Sequence, residues 1–162
     1  MPSEPISHPL VGKKAPDFTL ESSAGAKLKL SSQKGKVVVL YFYPKDNTSG
    51  CTVEAKEFRD ANDSYIEAGA LVLGISPDSI ESHCKFIDKH GLNFQLLSDP
   101  EHTVAEKYGV WVEKSMYGKK YMGIQRATFL IDKEGRVVHV WLKVKPQGHA
   151  REVLEIITSI TD

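Results

Sequence analysis

The segment from Lys36 to Tyr43 constrains the fold more than any other part of the sequence, because it is almost continuously apolar and rich in β-branched and aromatic residues. Such a run is typical of a central strand that is buried on both faces of a sheet. A polar loop follows, and then a helix-like stretch from Cys51 to about Ala68, with Gly69 placed to end it. Residues 70–75 are predicted to form a second buried strand. This strand–helix–strand succession favours an α/β fold.

The remaining predicted elements extend this unit at both ends. Two short alternating segments, 18–20 and 27–30, indicate an N-terminal β-hairpin. After residue 75, the predicted elements are a helix that starts near Ser76 and ends at Gly91, a short strand at 95–97, a helix at 101–108, a hairpin of strands 127–132 and 137–142, and a closing helix at 151–160. Together they predict one domain over residues 1–162, with a mixed central sheet flanked by helices. The first ten residues contain three prolines and are expected to form a poorly ordered arm.

Two local details of the helices are also predicted. The apolar positions of the first helix are expected to include Phe58 and Ile66. The second helix has two alternative starts: Ser76 caps it with Pro77 in the first turn, or Asp78 and Glu81 form a capping box.

Composition and charge exclude several functions. The chain has 162 residues, of which 21 are basic and 21 acidic, and no basic cluster indicates binding to nucleic acid or to an anionic membrane. The N-terminus lacks the basic and apolar regions of a signal peptide, and the longest apolar run is too short to span a bilayer. Two cysteines do not make a secreted disulfide framework, so a cytoplasmic location is expected. The six histidines show no ligand spacing with each other, so no metal site is expected.

Cys51 is the residue whose position most clearly indicates chemistry. It lies where the strand gives way to a helix, and the free N–H groups and dipole of a helix N-terminus stabilise a thiolate. Thr48 can direct its hydroxyl toward the same small space, Gly50 allows close approach of the backbone, and Pro44 can shield the thiolate from bulk water. A hydroperoxide suits this pocket, because it can donate a hydrogen bond to Thr48 and accept bonds from backbone N–H groups.

Arg126 is the predicted source of positive charge for this chemistry. Attack of a thiolate on the O–O bond gives a sulfenic acid and leaves an alkoxide or hydroxide, whose developing charge needs a cationic partner. Arg126 stands at the start of the strand at 127–132, and its guanidinium is always charged. A surface ion pair between Arg126 and Glu54 is the structural alternative, and a Glu54 contact that orients the guanidinium would unite both interpretations.

The pattern Pro44-x-x-x-Thr48-x-x-Cys51, together with the later Arg126, resembles the signature of the peroxiredoxins, and within them the bacterioferritin comigratory protein (peroxiredoxin Q) group. Further matching motifs are Gly12-x-x-Ala15-Pro16-Asp17-Phe18-Thr19-Leu20, Tyr41-Phe42-Tyr43-Pro44-Lys45-Asp46, Leu97-Ser98-Asp99, Met116-Tyr117-Gly118-Lys119-Lys120 and Gly123-Ile124-x-Arg126-x-Thr128-Phe129-Leu130-Ile131-Asp132. The resemblance implies a thioredoxin-like fold and the reduction of hydrogen peroxide and organic hydroperoxides without metal or flavin.

The same resemblance implies roles for individual residues and partners. Cys51 would be the peroxidatic cysteine, with Pro44, Thr48 and Arg126 as its shell. Thioredoxin or a similar thiol donor would supply the reducing equivalents, and the protein would be a monomer. Two positions depart from the group: Ser49 replaces the usual proline, and Lys56 stands where many members carry a resolving cysteine.

Cys84 has two alternative interpretations. It recurs with Ile80 and Ile87 at helical spacing, which is typical of a buried small hydrophobic residue. Some relatives carry a resolving cysteine in this second helix, nearer the position of Ile87. Cys84 is therefore either the resolving partner of Cys51, forming a disulfide bond with it, or a structural thiol, in which case an external thiol attacks the sulfenic acid.

Two other functions of a thioredoxin-like fold agree less well with the sequence than the peroxidase does. A thioredoxin-fold thiol–disulfide oxidoreductase is disfavoured because no second cysteine lies at Cys-x-x-Cys spacing from Cys51. A non-catalytic thiol-binding or chaperone module is disfavoured by the presence of Thr48, Gly50 and Arg126 beside the thiol.

Three aromatic residues fall in what is predicted to be a polar, Lys-rich loop: Trp111, Tyr117 and Tyr121. They either line a substrate or partner surface or pack in the ordinary way.

Overall fold

The computed structural model describes residues 8–161 of the chain. The strands are β1 (Thr19–Ser22), β2 (Lys27–Lys29), β3 (Val37–Phe42), β4 (Ala70–Ser76), β5 (Gln95–Ser98), β6 (Trp111–Met116), β7 (Lys119–Ile124), β8 (Ala127–Ile131) and β9 (Val137–Leu142). The helices are α1 (Ser49–Glu67), α2 (Ile80–His90), α3 (Thr103–Lys107) and α4 (His149–Thr161), with a 3-10 turn at Leu30–Gln33. Among the described residues, no helix is both long and apolar enough to cross a bilayer.

Seven strands form one mixed sheet, in the order β2-β1-β5-β4-β3-β8-β9. β3 pairs in parallel with β4 and antiparallel with β8, and all six of its residues are buried. β1 and β2 form the predicted N-terminal hairpin, and β8 and β9 form the predicted C-terminal one. The predicted α/β fold, with a mixed central sheet flanked by helices and an N-terminal hairpin, is therefore confirmed.

The two faces of β3 bury two separate apolar clusters, because successive side chains of a strand point to opposite sides. Val38, Leu40 and Phe42 join the cluster that includes residues of α3. On the other face, Val39 and Tyr41 join a cluster with residues of α1, α2 and α4, and Cys51 belongs to this second cluster. The thiol therefore lies on the face of the sheet that α1, α2 and α4 cover, just after the loop that follows β3.

Several local predictions are wrong, and each has a physical reason. On α1, Phe58 is buried as predicted, but Ile66 is 62% exposed. Glu54 and Asn62 are buried instead, so apolar character alone did not identify every buried position of the helix. α2 begins later than predicted, because Ser79 is its N-cap and accepts a hydrogen bond from Ser82 N at 3.1 Å. Gly91 does end α2, in the left-handed conformation.

The predicted Lys-rich loop is a β-hairpin formed by β6 and β7. Its residues are mostly exposed, so the two strands carry little of the apolar alternation that identifies a strand from sequence. Trp111 stacks on His102 with 3.8 Å between ring centroids, which is ordinary packing. Tyr117 at the turn is 99% exposed and Tyr121 is 43% exposed.

The predicted arm at residues 1–10 is partly corrected. Residues 1–7 lie outside the described part of the chain. Residues 8–10, however, pack against the domain: the ring of His8 meets that of Phe129 edge-on, with centroids 5.3 Å apart, and Leu10 packs against the apolar cluster on that face of the sheet.

Candidate active site

Cys51 is the third residue of α1, and its side chain is almost completely buried, with 1% exposure. Thr48 is the N-cap in an extended conformation, and Thr52 N donates to Thr48 O at 2.9 Å, which closes the first turn. The thiol therefore lies within the turn whose backbone N–H groups lack partners inside the helix. An anionic sulfur or oxygen at this point gains from both those donors and the helix dipole.

Arg126 lies beside Cys51 because of the pairing of β8 with β3. Phe42 opposes Ala127 in that register, so the residue before β8 lies next to the loop that follows β3. Arg126 Nη2 donates to Cys51 Sγ at 3.4 Å, and Arg126 Nη1 donates to Glu54 Oε1 at 2.7 Å. The Glu54–Arg126 contact is therefore present, but it is not the surface ion pair of the structural alternative, because the Glu54 side chain is fully buried. Burial works against the guanidinium charge, but Glu54 and Cys51 outweigh it and raise the pKa of Arg126.

Thr48 is placed at the entrance of the site with its hydroxyl proton already in use. Among the described residues its side chain does not cap α1, and Thr48 Oγ1 instead donates to Lys45 O at 3.0 Å. A hydroxyl that donates its only proton keeps its lone pairs as acceptors. Thr48 is therefore set to accept a hydrogen bond from a protonated ligand. Pro44 lies partly buried two residues after β3, at the start of the same loop.

Gly50 is needed because the side chains of Arg126 and Pro146 lie close to its Cα, and not because of its backbone angles. A Cβ atom at this position would lie 3.2 Å from Arg126 Nη2 and 3.5 Å from Pro146 Cγ. Any larger residue would therefore push against the guanidinium that contacts the thiol. Pro146 belongs to an open groove beside the site, lined by Ser49, Gly50, Val53, Lys145, Pro146 and Gln147. The loop between β9 and α4 was not foreseen as part of this site, because nothing in its local sequence indicates the contact.

Glu54 is a fully buried carboxylate whose environment strongly favours the neutral form. Burial raises the pKa of Glu54 to about 7, although Arg126 acts in the opposite direction. Within the part of the chain that the structure describes, Glu54 Oε2 and the hydroxyl of Tyr41 are buried without a hydrogen-bond partner. Glu54 therefore orients Arg126 from a buried site in which burial opposes its ionisation and the guanidinium favours it.

The contribution of Glu54 to the stability of the folded protein is expected to fall as the pH rises from about 4.5 to about 7. Its pKa is about 7 in the folded state against 4.5 ordinarily, so the folded state binds more protons than the unfolded state in this window. The Glu54→Gln variant should lack this component. Urea unfolding at a series of pH values measures it, and parallel pH profiles of the two proteins would contradict it.

Cys84 lies apart from the contacts that surround Cys51. It is on α2, partly buried, with its Sγ 3.9 Å from Ser23 O in the turn between β1 and β2. The fully buried residues of α2 are its neighbours His83 and Phe86. The expectation that Cys84 is a buried residue is therefore wrong, because its side chain is only partly buried. Both cysteines are free thiols.

A buried polar cluster joins the loop before α1 to the start of α2, and sequence reasoning missed it. Asp46, Asp78 and His83 offer ligand atoms that lie within 4.8 Å of one another, which is close enough for a metal ion. Their atoms are also engaged with each other and with neighbouring hydroxyls: His83 Nδ1 is 2.8 Å from Asp46 Oδ2, and Asp46 N donates to Asp78 Oδ2 at 2.8 Å. The members are up to 37 residues apart in sequence, so no local motif signals them.

Comparison with known proteins gives one consistent result. Residues 11–140 match the model of the AhpC/TSA family. The chain is 52% identical to peroxiredoxin Bcp of Bacillus subtilis strain 168 over 152 residues, which cover 94% of this chain and 97% of that protein. It is 47% identical to peroxiredoxin Bcp of Escherichia coli strain K12 over 143 residues, covering 88% and 92% of the two chains.

Solved structures agree with the sequence relatives. Peroxiredoxin Q of Xanthomonas campestris superposes with a TM-score of 0.86 at 42% identity, covering 90% of this chain and 92% of that one. A second structure, from work on the alkyl peroxide reduction activity of the bacterioferritin comigratory protein of the same organism, has a TM-score of 0.86 at 41% identity, with the same coverage. The chain belongs to the AhpC/TSA family, in its bacterioferritin comigratory protein (peroxiredoxin Q) group, and is a thiol-dependent peroxidase.

Proposed function

We propose that Cys51 is the peroxidatic cysteine and that it works with Arg126 and Thr48. The observation that carries this proposal is the position of one guanidinium, which contacts both Cys51 Sγ and Glu54 Oε1. The Cys51 thiolate attacks the terminal oxygen of the hydroperoxide, an S–O bond forms, and the O–O bond breaks. The products are a sulfenic acid, which keeps the hydroxyl hydrogen of the peroxide, and an alkoxide or hydroxide, which takes a proton from solvent.

Each neighbour has a distinct task in this step. Arg126 and the N–H groups of the first turn of α1 stabilise the negative charge as it moves from sulfur to the leaving oxygen. Thr48 accepts the hydrogen bond of the peroxide hydroxyl, because its own proton is held by Lys45 O. Pro44 limits the access of water to the thiolate.

The substrates are hydrogen peroxide and organic hydroperoxides. The groove beside Gly50 is open to solvent, and Val53 and Pro146 supply apolar surface next to the thiol, so the organic part of a hydroperoxide has room outside the reacting pocket. The related Xanthomonas campestris protein has been studied for alkyl peroxide reduction. We infer the same substrate class for this chain.

Thioredoxin or a similar dithiol protein completes the cycle by reducing the oxidised enzyme. The two thiols are free in the structure, and a cycle of this kind requires a compartment in which a thiol donor is kept reduced. We therefore propose that the enzyme acts in the cytoplasm. We also propose that it acts as a monomer, since Cys51, Thr48, Glu54 and Arg126 all come from one chain.

We assign the resolving role to Cys84, which is the second of the two cysteines and is partly accessible. Lys56 stands at the other position where a resolving thiol would be expected, five residues after Cys51. Because Cys51 is buried and Cys84 contacts Ser23, disulfide formation requires the first turn of α1 to unwind. The sulfenic acid then loses water as the Cys51–Cys84 bond forms.

The Cys84→Ser variant is expected to lose thioredoxin-coupled turnover while it still consumes one equivalent of peroxide. Intact mass after one equivalent of hydrogen peroxide separates the two steps. The reduced wild-type protein should lose two hydrogens, whereas the variant should gain one oxygen. Unchanged steady-state turnover in the variant would assign the reduction of the sulfenic acid to an external thiol. A wild-type mass that does not change would contradict the peroxidatic role of Cys51.

A further inference from the structure

We infer that Asp46 and His83 are positioning residues that hold the Cys51 loop in its reactive conformation and fasten it to α2, the helix that carries Cys84. The inference rests on the proposed role of Cys51 as the attacking thiol. Residues 43–48 connect β3 to the N-cap of α1, and Asp46 lies at the middle of this segment with its side chain buried.

Asp46 collects hydrogen bonds from two separate parts of the chain. Asp46 Oδ1 accepts from the hydroxyl of Tyr43 at 2.6 Å, which is a contact within its own loop. Asp46 Oδ2 accepts from Ser82 Oγ at 2.8 Å and faces His83 Nδ1 at 2.8 Å, both in the first turns of α2. The backbone of the same residue adds a fourth link, from Asp46 N to Asp78 Oδ2. One residue therefore joins the active-site loop to the beginning of α2.

Asp46 and His83 form a buried hydrogen-bonded pair. His83 is fully buried, and its Nε2 is 2.9 Å from Leu97 O while its Nδ1 is 2.8 Å from Asp46 Oδ2. Both ring nitrogens therefore face oxygen atoms, and the ring is held between β5 and the loop that carries Asp46. Although burial acts in the opposite direction, hydrogen bonds from His83, Tyr43 and Ser82 lower the pKa of Asp46 and keep it ionised.

The backbone next to Asp46 shows that the loop needs such support. Asn47 has a φ of 64°, in the left-handed region that non-glycine residues occupy at a cost. This residue stands between Asp46 and Thr48, so the turn that it makes sets where the Thr48 hydroxyl points. The hydrogen bonds of the Asp46 side chain therefore help to hold the entrance loop of the Cys51 site in a backbone conformation that has a cost at Asn47.

Asp46 is a buried carboxylate, so the loss of one of its hydrogen-bond partners leaves a buried charge that is less well compensated. Release of Asp46 would therefore disturb Thr48 and the first turn of α1 directly. It would also detach the loop from the helix that bears Cys84. The pair is positioned to set the balance between a closed state, in which Cys51 attacks peroxide, and an opened state, in which Cys51 becomes reachable by another thiol.

Three measurements on the reduced protein test this inference, using Asp46→Asn, His83→Gln and the double variant. They are the rate of Cys51 oxidation by one equivalent of hydrogen peroxide, the rate of Cys51 alkylation by iodoacetamide, and the midpoint of urea unfolding. Asp46→Asn should be oxidised about 10- to 100-fold more slowly, the loss that a misplacement of about 1 Å produces. Its Cys51 should be alkylated several-fold faster. The double variant should be no slower toward peroxide than Asp46→Asn alone, because the two residues act as a unit.

Asp99→Asn is the matched control, because Asp99 is also a buried aspartate that accepts hydrogen bonds, from Val104 N and Ala105 N, but at the start of α3. The inference is overturned if Asp46→Asn lowers the urea midpoint and yet reacts with peroxide and iodoacetamide as Asp99→Asn does. If Asp46→Asn does not unfold cooperatively, Ser82→Ala is used in its place, because this substitution removes one hydrogen bond to Asp46. Wild-type rates of oxidation and alkylation in Ser82→Ala would also overturn the inference. A wild-type protein whose Cys51 resists peroxide would contradict the proposed function instead, and alkylation alone would then decide the role of Asp46.

Discussion

The Cys51→Ser variant is expected to lose all peroxide reduction while it keeps the fold. The serine hydroxyl is not ionised at neutral pH, and its oxygen cannot accept a second oxygen from a peroxide as sulfur does. Because the side chain is almost fully buried, the hydroxyl should lower the free energy of unfolding by about 1–3 kcal/mol. Peroxide consumption with a dithiol reductant measures the first effect, and urea unfolding measures the second.

Cys84→Ser is the natural control for this result, because it removes a thiol of the same chain and leaves the Arg126–Cys51 contact in place. The two variants should differ in the first turnover: Cys84→Ser consumes one equivalent of peroxide and Cys51→Ser consumes none. Retained peroxide turnover in Cys51→Ser would show that the chemistry is located elsewhere in the protein.

The parts of the fold that were predicted correctly are those in which one local pattern dominates. β3 is apolar at every position, and only burial on both faces explains such a strand. Gly69 and Gly91 both adopt the positive φ expected of glycines that end helices. The contact of Arg126 with Glu54 was also predictable, because the strand after Arg126 had to pair with the sheet that leads to Cys51.

The features that were missed depend on contacts between distant segments. The β6–β7 hairpin is exposed on most of its surface, so its strands are specified by pairing with each other rather than by burial. Ser79 caps α2, while the hydroxyl of Ser76 is bonded to Asp78, and the choice between neighbouring cap residues is made by those side-chain contacts. The Asp46–His83 pair joins the loop after β3 to α2, and these two segments meet only after the sheet has assembled.

These missed contacts bear on how the site is held rather than on its chemistry. The proposed chemistry requires a thiol, an acceptor hydroxyl and a cation, and these residue types are visible in sequence at Cys51, Thr48 and Arg126. The support requires buried polar partners: Glu54 for the guanidinium, which was anticipated, and His83 for the loop carboxylate, which was not. Both supports are buried, so each costs desolvation, and each leaves a buried polar group without its hydrogen bond when its partner is removed.

Arg126→Ala is expected to slow the reaction of Cys51 with hydrogen peroxide by about 10²–10³-fold, which corresponds to about 3–4 kcal/mol of lost transition-state stabilisation. The guanidinium is 3.4 Å from Cys51 Sγ, so it is the charged group closest to the forming and leaving oxygens among the contacts described for the thiol. Arg126→Lys keeps the charge but not the two-pronged contact, and should fall between the wild-type protein and Arg126→Ala. Rapid-mixing kinetics of the reduced protein measure the second-order rate constant directly.

A loss of rate in Arg126→Ala has a second explanation that must be separated from the first. Glu54 is fully buried, and without Arg126 its carboxylate has lost the partner that offsets burial, so the variant should also be less stable. The double variant Arg126→Ala/Glu54→Gln removes the buried ionisable group that has lost its partner and should recover much of the urea midpoint. If Arg126 acts on the transition state, this double variant stays as slow as Arg126→Ala. Recovery of the rate together with the stability would instead show that the guanidinium serves the fold of the site and not the charge on the leaving oxygen.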